Sequence, residues 1–496
     1  MLYSNINSIN TDNNDNGNNN NNNNNSNNDN VSVSAPRIGI ERLPECLYPI
    51  IHEFHPIDSL IGLSRFFYYN IKRVHYRITR KFSCAYYASE KFRGRVNSRI
   101  SNTSMSLSLN LSGSIIVNDV DVLKGIHGVD LSYCYGVMDV SALGGVHDLD
   151  LSGCTGITDV SALRSVHRLN LHGCTKITDV SMLGGVHTLD LSECIHIRDV
   201  SALGGAHTLN LSGCDGIIDV SMLGGVRSLN LSRCSKIIDV SALGGVHTLN
   251  LEGCKRISNV SALGGVHTLN LRYCSRVTDV NTLGTVKNLH LSLSRITNVS
   301  ALKDVHTLHI FGSNRFGNVD SLKNVHNLHL PDCQGIRCVD ALKNVHTLNL
   351  SSCNGIKDVS ALCNVHTLIL ADCIGITDVS ALGGNHTLNL SGCRSITNVS
   401  ALGKVKDLNL SRCDQVIDVS ALGRVHTLCL NRCFNITDVS ALGSVRKLDL
   451  SECHGVIDVE PLKGVHSLNI AGCKNVSHEA INILTGVCNL RLHGVF

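Results

Sequence analysis

Three residue types recur on a fixed step in this chain, and each could do chemistry. Cysteine stands every 20 residues at Cys134, Cys154, Cys174, Cys194, Cys214, Cys234, Cys254 and Cys274, and again on the same step from Cys333 to Cys473. Thiols ligate soft metals or pair as disulfides, but a metal needs ligands that converge on a point and a disulfide needs facing Cβ vectors. One thiol per repeat gives a line of parallel side chains instead. They read as buried small apolar groups, each a weak S–H donor to turn backbone. Ser114, Ser294 and Ser313 fill the same slot, which a metal centre would not tolerate.

The second row is Asp139, Asp159, Asp179 and their counterparts, each before V-S-x-L. A carboxylate there can accept from backbone N–H groups two or three residues on and so cap a short helix. Asn259, Asn298, Asn318 and Asn398 replace it and cap equally well, which excludes carboxylate catalysis. Cys338 breaks the row and should leave its turn uncapped. The third row is histidine, found 14 times after the first Val of the repeat, with Arg227, Lys287, Lys406 and Arg446 standing in. Fixed cations in that row argue for an exposed edge and against zinc. Imidazoles one strand apart should protonate with mutual repulsion. No nucleophile–base pair, phosphate loop or metal cluster stands outside this lattice, so no catalytic, cofactor or metal residue is assigned and a non-enzymatic role is expected.

The elements that position these rows follow from the repeat itself. One copy, VHDLDLSGCTGITDVSALRS from Val146 to Ser165, has the skeleton V-H-x-L-x-L-x-x-C-x-x-I-x-D-V-S-x-L-x-x. L-x-L alternation points two Leu inward and their neighbours outward. A repeat of 20 residues leaves no room for a crossover helix, so D-V-S-A-L should form a turn or a short 3₁₀ segment. The skeleton resembles the leucine-rich repeat with cysteine at its variable position. The resemblance covers the chain from Leu107 to the end. It implies an α/β solenoid, a superhelix with a parallel concave β-sheet of 20 short strands whose Leu positions run from Leu111 to Leu492. Stacked aliphatic columns also account for an aromatic content of 4% and the lack of Trp.

The rest of the chain divides by composition: 1–35 an Asn-rich tail that cannot offset its ordering entropy, 36–75 a helical module, 76–104 a basic connector, and 105–496 the repeats. The connector carries Lys72 to Arg99 against one acid, Glu90, and reads as a solvated helix face or linker. The module, IERLPECLYPIIHEFHPIDSLIGLSRFFYYNI from Ile40 to Ile71, resembles an F-box. Leu43 and Pro44 match its opening, Leu47, Ile51 and Phe54 supply an apolar helix face with Ile50, and Pro56, Asp58 and Leu60 match its second helix. Pro49 falls inside the first helix and the Leu43 to Pro56 spacing is one residue short of the pattern. An F-box before leucine-rich repeats implies a small all-α module docking on a Skp-type adaptor of a cullin–RING ubiquitin ligase, while the solenoid selects a protein substrate. The same segment could instead be a lid over the first repeat.

Two surface features are candidates for that selection. One is a basic stripe of Arg233, Lys236, Lys255, Arg256, Arg272 and Arg276. The other lies where the repeat breaks its own rules. The residue between the strand Leu is usually Asn or Asp, but three successive strands carry His290, His309 and His329 there. The next outward position becomes Phe311 and then Pro331, and one residue is missing between Leu291 and Val299, which should disturb the stacking. A formal charge of +3 gives no reason to expect specific nucleic-acid binding. No apolar run of membrane-spanning length or secretory leader is read, so the 22 cysteines are expected as free thiols in a monomeric intracellular protein, cytoplasmic or nuclear.

Overall fold

The computed structural model describes residues 75–78, 80–100, 106–292, 296, 298–312 and 317–493. Leu43, Pro44, Leu47, Ile51, Phe54, Pro56 and Leu60 of the F-box-like segment lie outside them, as do Ser294 and Ser313.

Each L-x-L unit forms a strand of three to five residues that pairs in parallel with its neighbours. The register sets like on like: Thr188 faces Thr208, Leu189 faces Leu209 and Asp190 faces Asn210. Behind the strands the chain turns through a 3₁₀ helix such as Ser201–Gly205, where V-S-A-L was expected to form one. A typical repeat buries Leu171, Cys174, Ile177, Val180, Leu183 and Val186, so the core is a set of aliphatic columns running the length of the molecule. No single repeat could hide these side chains from water. The chain is a leucine-rich-repeat solenoid.

The residue before each ladder position turns through the left-handed region. Gly153, Gly213 and Gly392 adopt it at φ of 73–74° without cost from a Cβ. Arg233, Tyr273, Arg412 and Arg432 adopt it too, at 59–62°. The conformation is held because its N–H donates to the next repeat: Arg233 N reaches Glu252 O at 2.7 Å.

The basic connector is part of the solenoid. Strand β1 (His75–Ile78) pairs in parallel with β2 (Ser106–Asn110), adding one strand to the 20 expected and making a 21-stranded sheet. Helices α1 (Arg80–Ala88) and α2 (Glu90–Ile100) then cover the first repeat, burying Tyr86 and Val96. Ser83 Oγ accepts from Asn110 N at 2.9 Å, and Arg93 donates to the carbonyls of Tyr86 and Tyr87 at the end of α1. A charge run hid this packing: Arg80, Lys81, Lys91 and Arg95 are exposed, while Arg93 turns inward to the end of α1. At the other end, helix α3 (His478–Asn482) precedes the 3₁₀ turn Ile483–Gly486, its first turn capped by Ser477 Oγ accepting from Ala480 N. Among the described residues no helix is long and apolar enough to cross a membrane.

The missing residue does not disturb the sheet. Strands Asn288–Ser292 and Thr307–Phe311 pair over five residues, among the longest in the molecule. Elsewhere an Asn ends the strand by taking a backbone donor: Asn210 Oδ1 accepts from Ser212 N at 3.1 Å and Asn250 Oδ1 from Glu252 N at 3.0 Å. Histidine at 290 and 309 takes no such donor, so both backbones stay free to pair two residues further. Ile369 also lacks the cap, but its neighbours Asn349 and Asn389 keep theirs, and its strand stays short.

Candidate binding face of the sheet

The three rows have structural work. The ladder thiols donate to the strand carbonyl one repeat back, as Cys134 to Leu111 O at 3.1 Å and Cys214 to Leu191 O at 3.1 Å, while Cys333 donates to Pro331 O at 3.7 Å. Burial pushes the Cys154, Cys174 and Cys254 thiols up to about 12, so they stay protonated donors. None of the 21 described cysteines forms a disulfide. In the second row Asp199 Oδ1 accepts from Ser201 N at 2.9 Å, which holds its carboxyl below the usual range, and Asn259 Oδ1 does the same for Ser261 at 3.0 Å. No described side chain caps the turn after Cys338, which runs as a three-residue 3₁₀ helix, Asp340–Leu342. The third row stacks: His187 and His207 lie 4.7 Å apart centroid to centroid, and His247 and His267 4.6 Å. Thr at the following position holds many of these rings by Nδ1, as Thr248 holds His247 at 3.2 Å.

One group outside these roles stands on the sheet face. Register brings His290, His309 and His329 side by side, with ring centroids 4.3 and 4.0 Å apart and nearly parallel planes. Phe311 extends the stack, 6.1 Å from His309. Arg272 reaches across the small Ser292 to lie over the Phe311 ring at 4.1 Å, and over Tyr273 at 5.2 Å. Its Nη2 donates to Tyr273 Oη at 3.3 Å, and its buried Nε has no partner among the described residues. Glu252, one repeat back, is taken by Asn270 Nδ2 at 3.0 Å. Burial first, then His329, His290 and Arg272, pushes His309 down to about 3; burial and Arg272 lower His290 as well. The stack is therefore neutral at physiological pH, and parallel rings send their nitrogen lone pairs along parallel lines rather than toward one ion.

The basic stripe divides. Lys236, Arg256 and Arg276 form one exposed column at repeat spacing, flanked by exposed Arg233 and Lys255. Arg272 leaves it for the imidazole stack. Stacking of the positions just after the strands suggested one stripe, whereas the position within the repeat decides which face a cation joins.

Two groups escaped the sequence reading. Asp replaces Asn between the strand Leu at Asp130, Asp150 and Asp190, and with Asp148 these acids line a groove of about 620 Å³ on the sheet face, Arg168 being its one cation. At the loop edge, Arg394, Arg412, Arg432 and Phe434 surround a hollow of about 360 Å³ in which Glu452 takes Arg432 through two bonds of 2.8 and 2.9 Å. Both were visible as substitutions, but only against neighbours 20 residues away. One trio among the described residues could hold a cation: His127, His147 and Asp148, whose ligand atoms lie within 4.8 Å of one another. Two of them already bond at 2.9 Å, with Arg168 3.9 Å from the other Asp148 oxygen, which favours a surface ion pair.

No protein-family model matches the chain, and no curated relative matches it. Among solved structures it is similar to an internalin from Listeria monocytogenes, at 21% identity over 66% of this chain and 83% of that one, with a TM-score of 0.32. It is also similar to the functional domain of InlJ from the same organism, described as including a cysteine ladder, at 18% identity over 66% and 74% of the two chains and a TM-score of 0.38. A leucine-rich-repeat protein of Leptospira interrogans matches at 17% identity over 70% and 96%, with a TM-score of 0.37.

Proposed function

We propose that the chain is a non-catalytic protein-binding adaptor that recruits a target to a cullin–RING ubiquitin ligase through a Skp-type adaptor. The observation that carries the binding role is the sheet-face cluster of Arg272, His290, His309, His329 and Phe311. The ladder thiols and the turn carboxylates, by contrast, serve the lattice as donors and caps. Here a cation with an unpartnered buried nitrogen, a ring and three imidazoles meet with no ion-paired acid among the described residues, and aromatic and Arg anchors of this kind dominate interface energetics. The ligase role rests on the F-box-like residues Leu43 to Ile71. The first repeat already has its lid in β1, α1 and α2, so that segment is not needed to close the solenoid. Free thiols in this number suit a reducing compartment, cytoplasmic or nuclear, and the chain itself is proposed to be monomeric outside the complex.

The test is co-purification of adaptor and cullin with the tagged full chain. Leu47→Asp with Ile51→Asp is expected to abolish it while circular dichroism of the solenoid stays unchanged, since two buried carboxylates cost several kcal/mol. Normal adaptor binding by the double variant would remove the ligase role and leave a binding scaffold.

A further inference from the structure

The sheet face changes sign along its length. Asp130, Asp150 and Asp190 make one end acidic, and four strands beyond Asp190, at roughly 5 Å per strand, Arg272 stands as a cation with no acid within ion-pair distance among the described residues. Its guanidinium lies over the Phe311 and Tyr273 rings, which fixes its position while only Nη2 is spent, on Tyr273 Oη, among the described residues. Beside it the imidazoles of His290 and His309 are neutral, and each neutral ring keeps one N–H to donate. A planar cation next to neutral donors is the arrangement that receives a carboxylate, charge from one side and undemanding hydrogen bonds from the other.

We propose that this patch seats a carboxylate of an acidic segment of the partner protein, with Arg272 supplying the charge, the His290 and His309 N–H groups the neutral contacts, and Phe311 the apolar wall. The proposal rests on the reading above that this face takes the partner. A nucleic-acid strand fits less well. It would need several cations in a row, and following the sheet it would run from a single Arg into the carboxylates at Asp190 and Asp150. The seat also draws protons. The charged groups facing His309 are His290, His329 and Arg272, with Glu252 beyond them. An arriving carboxylate favours the protonated imidazole, so the complex binds a proton that the free protein does not, and affinity rises as pH falls.

The experiment uses the full chain and fluorescein-labelled hexaglutamate, hexaglutamine and octauridylate probes, read by anisotropy. Hexaglutamate is expected to bind, to weaken with added salt, and to lose about ten-fold or more in Arg272→Gln. It should be unaffected by Arg412→Gln on the loop edge. Binding should change little between about pH 7.5 and 6.5, where the stack is neutral, and tighten in the wild type as pH falls from about 6 to about 5, toward the depressed free-state value of His309. His309→Asn, which restores the residue of most other repeats and so keeps the fold, should flatten that dependence. Equal binding of hexaglutamine, preference for octauridylate, or an unchanged Arg272→Gln overturns the proposal. Capture of the physiological partner separates the two readings. If Phe311→Ala abolishes capture while hexaglutamate fails to bind, the face is right and the acidic class is wrong. If capture survives Phe311→Ala, this face is not the partner site, whatever the probes do.

Discussion

A ladder thiol fills a slot the size of a small aliphatic group and ties its repeat to the one before, as Cys234 does with Leu211 O at 3.1 Å. Burial keeps it protonated, so reactivity should follow position. In the native protein at mildly alkaline pH a thiol reagent is expected to titrate exposed Cys338 and Cys488 quickly and half-buried Cys84, Cys363 and Cys429 slowly, with the ladder silent until unfolding releases all 22. Several thiols missing after unfolding without reductant would mean disulfides and would undo the geometry. Asn385 is the opposite case, a polar residue in a slot that holds Val365 and Val405 in the adjoining repeats. It is 2% exposed, donates to Leu362 O, and leaves its Oδ1 without a partner among the described residues. Asn385→Val should raise stability by about 1–2 kcal/mol in urea unfolding, because an orphaned buried acceptor is removed. The imidazole stack sets a pH dependence. His309 is held at about 3 when folded and returns to about 6.5 when unfolded, so below that value only the unfolded chain takes up its proton. Stability from this site is complete above about pH 6.5 and falls as pH drops toward 3, and His309→Asn should make the unfolding midpoint less sensitive to acid over that window.

At the scale of the element, L-x-L, D-V-S-x-L and the cysteine spacing sufficed to read strand, cap and 3₁₀ turn, because each depends on residues within one repeat. The readings that needed correction depend on residues in two. The deletion before Val299 looked disruptive, yet the uncapped His290 and His309 lie next to each other and let their strands lengthen. The six cations looked like one stripe because all follow the strands of stacked repeats. The uncapped turn at Cys338 offers a direct check on the element argument: Cys338→Asp supplies the acceptor that Asp358 gives Ser360 one repeat later at 2.9 Å. It should stabilise the protein by about 1 kcal/mol. No gain in the urea midpoint would show that the row of carboxylates does little for the turns.

For the whole molecule, the repeat period was enough to give the architecture, while the cap over the first repeat was hidden in a segment that does not share the period. Tyr86 and Val96 carry that packing, and neither belongs to a pattern long enough to read. The site was half legible: the histidines and Phe311 stood out as exceptions, but Arg272 joined them only through space. Since stability accumulates repeat by repeat, deleting residues 341–360, which rejoins Asp340 to Ala361 in frame with the period, should leave a folded solenoid about 5 Å shorter with the cluster around Arg272 intact. Circular dichroism and small-angle scattering would detect collapse instead. The same interchangeability has a consequence in heredity. A regular rung offers the next the same carbonyl and receives the same thiol, so an unequal crossover that copies or drops one regular unit yields a descendant with no broken bond. Length is then nearly free to vary between generations, and selection acts on the few odd rungs that carry a surface of their own.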